Sequence, residues 1–405
     1  MPEWLTRDIA LIIVNRGFRS FIFGILFAVL AIYLSKVGMT PIQIGVVIAI
    51  SGGTAAAWTL GGGLLADRFG RKKILLAYGI AISASTACLL LTRDHVLLTA
   101  ILSASALGSF APGGGPVIAA EQALLSDKVS SVRRTSVFAA ISLAGSFATA
   151  IGAYTGAITT LLQGFGWNEI DSYGPLFAAM VVSALLSVAV ALAIKEPPRQ
   201  RQNKPIVALS PRSKWAASRL FATGVIDYAG TSLSGPFFAY WFYLRFDADP
   251  AFIGIIMGTN FLLATISYPI GVKLAKRFGV VRAIVGSRIP YVVLVMSFPF
   301  SPTLGIAAAI YLLRGFVGIM DVPLRLSYTM GIIRSDERAS VAAIGQFGRR
   351  APTIVSPIIS GALLQIGLLF LPFASAGLLQ LSEAALFYKF FRKIKPPEEI
   401  SSTRS

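Results

Sequence analysis

Charge is nearly absent from long stretches of this chain, and that absence limits what it can fold into more than any motif does. Charged residues make up 13% of the 405 positions and apolar residues 55%, with a mean hydropathy of +0.73. A soluble domain carries about 25% charged residues, so half that fraction leaves too little polar surface to cover a globule in water. The apolar residues come in blocks of roughly twenty or more, each long enough to cross the ~30 Å hydrocarbon core of a bilayer. Inside lipid, backbone groups must be satisfied within the segment, so such blocks are helices. The short alternating segments of a β-barrel are absent.

The blocks lie near 12–35, 43–66, 74–91, 96–126, 135–163, 174–194, 215–244, 252–275, 283–301, 303–330, 340–367 and 369–390. Their connections are short except for 195–214, KEPPRQRQNKPIVALSPRSK, which is polar, basic and proline-bearing. The expected fold is therefore all-α and polytopic, with twelve transmembrane helices in two pseudo-symmetric six-helix bundles. The expected domains are residues 1–194, a linker at 195–214, residues 215–390 and a tail at 391–405. The first apolar run follows Arg7 and Asp8 and is interrupted by Arg16 and Arg19. It reads as a retained first span rather than a cleaved signal.

A formal charge of +18 in a soluble chain would suggest nucleic acid. Here the distribution explains it. If the N-terminus is cytoplasmic, 25 of the 36 lysines and arginines fall in cytoplasmic segments, three in outer loops (Lys36, Arg93, Arg245) and eight inside spans. That asymmetry orients the chain with both termini inside the cell (plasma or inner) membrane, so no nucleic-acid partner is expected. Cys88 and His95 are the single cysteine and histidine, which leaves almost no raw material for a disulfide, a metal site or imidazole catalysis. No cofactor, metal or enzymatic activity is expected. The chain also lacks a GxxxxGK[ST] stretch, so direct ATP coupling has no support.

An internal repeat is visible. LLADRFGRKK at 64–73 returns as KLAKRFGVVR at 273–282, an offset of 209 residues, and RRTSVFAAI at 133–141 returns as RASVAAI at 338–344. Duplicated halves are a common transporter construction. The stretch Gly63-Leu64-Leu65-Ala66-Asp67-Arg68-Phe69-Gly70-Arg71-Lys72-Lys73 resembles the signature loop of the major facilitator superfamily. With twelve spans and a central basic loop, the resemblance covers the whole chain. It implies that Gly63, Asp67, Arg68, Gly70 and Arg71 form a cytoplasmic gating loop, with Asp67 in a charge network that holds that side closed. On physical grounds alone the same residues also read as a tight turn with topogenic charges. In the second copy Lys276 replaces Asp67, so no equivalent latch is expected there. The family's antiporter motif is missing from the fifth span, which keeps only the spacing of Gly145, Gly152 and Gly156.

An ionisable side chain at membrane depth costs several kcal/mol unless it is paired or hydrated. The resemblance implies that spans 1, 4, 7 and 10 line a central cavity, and the intramembrane charges fall largely on those spans. Thr223, Asp227, Thr231 and Ser234 form one polar face of the seventh span, followed by Gly235-Pro236, an expected kink. Asp227 has no charged neighbour on its own helix except Arg219, and desolvation of an unpaired acid favours its neutral form. It is the first choice for proton coupling, against a salt bridge between the halves. Arg314, Gly318, Asp321 and Arg325 share a face of the tenth span. A carboxylate between two arginines stays ionised, so Asp321 reads as a structural or gating partner.

Glu121 could pair with Arg349 or Arg350 of the eleventh span, or with Arg19 of the first. Arg16, Arg219 and Arg288 could instead reach the membrane interface. Eight intramembrane arginines against three clear acids (Glu121, Asp227, Asp321) would suit an anionic substrate, since guanidinium forks around carboxylate or phosphate. The aromatic run Phe237, Phe238, Tyr240, Trp241, Phe242, Tyr243 reads as an interfacial belt.

The expected function is a secondary active transporter of a small solute working by alternating access, proton-coupled, with drug or metabolite efflux favoured. Organic-anion uptake or exchange through the cavity arginines stays open, as does a membrane sensor that transports nothing. Expected partners are the solute, protons and membrane lipids, and the expected state is a monomer.

Overall fold

The computed structural model describes residues 6–107, 121, 124, 134–195, 209–333 and 337–394; side chains at 60–69, 134–136, 138–139, 212, 264–265, 326, 330, 338–340, 342–343 and 346 are not described. Every regular element among the described residues is helical, as expected of a chain whose backbone must satisfy itself in lipid. Eight of the described segments are long and apolar enough to cross a membrane. Their outward faces carry Phe147, Ile80, Leu185, Val293 and Leu313, all exposed, a surface suited to lipid tails rather than water.

The repeat read from the sequence is written into the backbone. Helix α1 (Arg7–Lys36) corresponds to α8 (Pro211–Ser234) with α9 (Phe238–Phe246). Helices α2 (Pro41–Phe69) and α10 (Pro250–Phe278) are each 29 residues long and begin on proline. Then α3 (Arg71–Leu91) matches α11 (Val280–Ser297), and α4 (His95–Ala104) matches α12 (Leu304–Gly318). Helix α13 (Val322–Ile332) continues the tenth span. Finally α5 (Arg134–Tyr154) and α6 (Ala157–Gly164) match α14 (Arg338–Arg350) and α15 (Ser356–Gln365), and α7 (Gly174–Ala193) matches α16 (Leu371–Phe391).

Gly70 and Gly279, 209 residues apart, each join two long helices at positive φ (109° and 87°, with ψ of 142° and 152°). Only glycine enters that region without strain of roughly 1–3 kcal/mol. Gly70→Ala and Gly279→Ala are each expected to lose stability in that range, which denaturant titration of the purified protein would measure.

Several expected spans are broken. The seventh is interrupted by a 3-10 turn at Gly235–Phe237, where Gly235-Pro236 was expected to kink it. The tenth breaks between Gly318 and Val322, next to Pro323, and the eleventh turns 3-10 at Ala351–Ile354 between Pro352 and Pro357. Proline removes a ladder hydrogen bond and crowds the preceding turn.

By contact, the chain forms two compact units: Met1–Arg201 with Pro236–Leu262, and Gln202–Gly235 with Leu263–Ser405. In the first, α1 packs on α5, α7 and α9, and α3 packs on α7 and α4. In the second, α8 packs on α14 and α16, and α11 packs on α16 and α12. Each unit thus wraps its neighbours around one polar-bearing helix. The aromatic run departs from the expected interfacial belt. Phe237, Phe238, Tyr240, Trp241 and Phe242 are buried in protein, where Trp241 packs edge-on against Phe242 and Phe246 and the Tyr240 hydroxyl lies 3.2 Å from Ser35 Oγ.

Candidate buried-charge sites

Among the described residues, a buried group of paired charges occurs in each unit. In the first unit the geometry begins with α1 and α5, which cross closely because both present glycine. A Cβ on Gly24 would fall on the Thr149 carbonyl oxygen, and one on Gly152 on that of Phe21. Small residues at a crossing let backbones approach in this way.

Two turns below Gly24, Arg16, Arg19 and Ser20 share one face of α1, at i, i+3 and i+4. Arg16 Nη1 lies 3.4 Å from both carboxylate oxygens of Glu121, and Arg19 Nη2 donates to Glu121 Oε2. All three side chains are buried. Beside them, Asn15 Nδ2 donates to the Ser187 carbonyl at 2.6 Å. Of the partners the sequence offered Glu121, the fold brings in Arg19. It adds Arg16, which is 8% exposed and does not reach out to headgroups.

The second cluster is larger. Asp321 sits in the break that precedes α13, so its carboxylate is free of the helical face on which the sequence placed it beside Arg314. Arg288 Nε of α11 donates to Asp321 Oδ2 at 2.8 Å, and Arg325 Nε donates to the same oxygen at 2.6 Å. Arg325 then turns its other edge to Glu383 of α16, with Nη1–Oε1 at 2.7 Å and Nη2–Oε2 at 3.0 Å. This is the forked pairing that guanidinium favours. Arg288 also reaches Asp227 of α8, with Nη1–Oδ1 at 3.2 Å and Nη2–Oδ2 at 3.4 Å. The first of these makes an ion pair without an aligned hydrogen bond, since Asp227 Oδ1 has no hydrogen-bond partner.

Asp227 therefore has a charged partner that its own helix does not supply. Arg288 is buried between two acids rather than extended to an interface. Arg314 lies over Tyr311 (4.6 Å to the ring centroid) and donates to the Tyr291 hydroxyl at 3.4 Å. Arg349 lies 5.6 Å from the Tyr228 ring centroid, and Arg350 is partly buried next to it on α14. The hydroxyls of Thr223 and Thr231 bond back to their own helix, and Gln380 Nε2 of α16 donates to Thr231 at 3.1 Å.

Glu383 escaped the sequence reading although it lies inside the last apolar block. A carboxylate three residues after Gln380 in such a block was the available signal. In the signature loop, Gly63, Asp67 and Arg68 fall on the last turns of α2 with side chains outside the described residues. Gly70 is buried at the junction and Arg71 opens α3. No group of three or more potential metal ligands occurs among the described residues.

Comparison with known proteins follows this geometry. The family model described as Major Facilitator Superfamily matches residues 12–219 and 220–405. An uncharacterized membrane protein of Saccharomyces cerevisiae, YJR124C, is 23% identical over 440 residues, covering 96% of each chain. The inner membrane transport protein YajR of Escherichia coli is 32% identical over 123 residues, 30% of this chain and 26% of its own. Among solved structures, the nucleoside transporter NupG superposes with a TM-score of 0.73 at 14% identity, over 96% of this chain and 100% of that one. Likeness at that identity carries the fold.

Proposed function

Because the chain belongs to the Major Facilitator Superfamily, we propose that it is a secondary active transporter that moves a small solute across the cell membrane by alternating access and couples the movement to protons. Both termini face the cytoplasm in this reading, and Gly63, Asp67, Arg68, Gly70 and Arg71 form its gating loop on that side.

The unequal grip on the three carboxylates of the second unit carries the reading. Asp321 and Glu383 are each held by short, aligned bonds from Arg325, and Asp321 also by Arg288. Asp227 is held only by the looser contacts of Arg288. In direct contact, three acids face two guanidiniums, so the cluster has room for one proton. The group that can take it at least loss is Asp227, because Arg288 keeps Asp321 when Asp227 lets go. The neighbouring elements present Arg219 on α8 itself, Arg349 over Tyr228 from α14, and Gln380 and Glu383 from α16; Arg314 lies beyond Tyr291. Protonation would free α8 from α11 while leaving the rest of the cluster closed, which is the kind of two-state element a gradient can bias.

The test uses purified protein in proteoliposomes loaded with a pH-sensitive dye. A compound panel, first screened by thermal shift, is added with the pH gradient imposed in each direction, so that efflux and uptake are both scored. Stabilising compounds are expected to move with protons. Asp227→Asn is expected to lose gradient-driven accumulation by at least about tenfold, the scale of one lost ~1.4 kcal/mol of coupling, while keeping solute exchange. Full gradient dependence in Asp227→Asn would end the proton assignment. A panel in which nothing is transported would favour the sensor.

A further inference from the structure

Away from the buried charges, the first unit has a cavity of about 450 Å³ where α3 ends and α7 begins. Its apolar lining includes Leu90 and Leu91 of α3, Tyr33 of α1 and Phe177 of α7, and its polar lining includes Arg93 and Asp171. Gly174 lines it as well, and a Cβ built there meets nothing within 4 Å. The space is open at that point.

The two apolar segments that meet here run Arg71–Leu91 and Asp171–Ala193. The cavity therefore lies at span ends, where a bilayer passes from tails to headgroups. Leu91 is 85% exposed, Leu90 is exposed beside it, and Ile80 and Leu185 are exposed further along the same two helices. Phe165 and Trp167, in the loop before α7, are exposed too, as aromatics at a membrane interface are.

Arg93 Nη2 donates to Asp171 Oδ1. That contact uses one guanidinium nitrogen and one carboxylate oxygen, which leaves N–H groups and an acceptor oxygen for a ligand. On the same loop Glu169 pairs with Lys36, and Asp94, next to Arg93, caps α4 through the Val96 and Leu97 amides. The cavity thus presents one positive and one negative charge side by side. An ion of a single sign is drawn to one and repelled by the other, whereas a zwitterion satisfies both.

We infer that this cavity binds the headgroup of a zwitterionic aminophospholipid. Arg93 takes the phosphate, since guanidinium forks around its oxygens. Asp171 accepts from the primary ammonium, which has three donors to offer. The acyl chains cover Leu90 and Leu91. Binding here depends on neither Asp227 nor the identity of the solute.

Native mass spectrometry of the purified full chain in neutral detergent, titrated with phosphatidylethanolamine or phosphatidylglycerol, measures the binding. Wild type is expected to hold phosphatidylethanolamine at least about tenfold more tightly, the scale of one hydrogen bond to a charged group. Gly174→Phe fills the cavity from a helical position (φ −49°, ψ −52°). It is expected to weaken phosphatidylethanolamine at least about tenfold, because ring and lipid cannot share the space. Gly164→Phe, equally open but outside the cavity, is expected to bind like wild type, which separates this site from lipid held elsewhere. Arg93→Gln is expected to weaken both lipids, which share the phosphate, and Asp171→Asn to abolish the preference between them. An exposed pair contributes little to stability, so both variants are expected to fold, which thermal melting checks. Glycerophosphoethanolamine, the headgroup without acyl chains, is expected to bind at least about tenfold more weakly than the lipid.

Binding by Gly174→Phe equal to wild type would overturn the proposal, as would equal affinity of the wild type for the two lipids. An unchanged preference in Asp171→Asn would do the same. Glycerophosphoethanolamine binding as tightly as the lipid would overturn it too, because the ligand would then be a soluble zwitterion.

Discussion

Replacing Arg325 by leucine is expected to cost about 3–5 kcal/mol, the usual result of removing one partner from a buried ion pair. The size follows from what is left behind. Glu383 is wholly buried and Asp321 1% exposed, so neither carboxylate can recover its loss by hydration. Glu383 loses both of its short bonds and Asp321 one of two. The double variant Arg325→Leu/Glu383→Leu removes the stranded acid with its partner, and Asp321 keeps Arg288. It is expected to recover about 2 kcal/mol or more of the single-variant loss, read as coupling in a double-mutant cycle. Denaturation in mixed micelles measures all the variants. If Arg325→Leu melts like wild type, the cluster does not hold α11, α13 and α16 together.

The second large effect belongs to glycine. Gly24→Ala and Gly152→Ala each place a Cβ on a backbone carbonyl of the facing helix, closer than 3.0 Å. Carbon and carbonyl oxygen ordinarily approach to about 3.3–3.6 Å. Backbone cannot swing aside as a side chain can, so α1 and α5 must move apart. Overpacking of this kind costs about 1–3 kcal/mol or more, and here it strikes the longest contact of the first unit. Little folded protein is expected from either variant by size-exclusion chromatography after extraction. Two glycines provide the scale. Gly145→Ala meets side-chain atoms at 3.3–3.4 Å and is expected to fold, while Gly164→Ala meets nothing within 4 Å and should melt like wild type.

These two predictions differ in how far the sequence could have led to them. The repeat was legible to the residue. Gly70 and Gly279 sit at matching junctions with the same backbone because a turn between two long helices needs a conformation that side chains oppose. The kink at Gly235-Pro236 was legible for the same local reason. Asp227 and Asp321 were flagged because a charge in an apolar block is conspicuous. One partner, Arg325 on the same face as Asp321, was legible from helical spacing, while the partners on other helices were not. Arg288 comes from α11, 61 residues from Asp227 and 33 from Asp321, and Glu383 comes from α16, 58 residues from the Arg325 it pairs with; helical spacing says nothing about contacts between helices.

Of the two arginines placed beside Asp321, Arg325 is its partner and Arg314 is not, for a related reason. The face shared with Arg314 assumed an unbroken helix, and the break after Gly318 turned the carboxylate toward Arg288 instead. The aromatic run was misplaced because an aromatic at a helix end looks the same whether lipid or protein covers it.

By itself, then, the sequence determined that this is an all-helical membrane protein of duplicated halves with costly charges on particular spans. Those are properties of segments, set by local hydrophobicity and backbone restriction. Only the tertiary structure decided how the charges pair: Arg16 and Arg19 with Glu121 in one unit, and Arg288 and Arg325 with Asp227, Asp321 and Glu383 in the other. Ion pairing depends on distances of 3 Å between helices far apart in the chain, and those distances exist only once the helices pack.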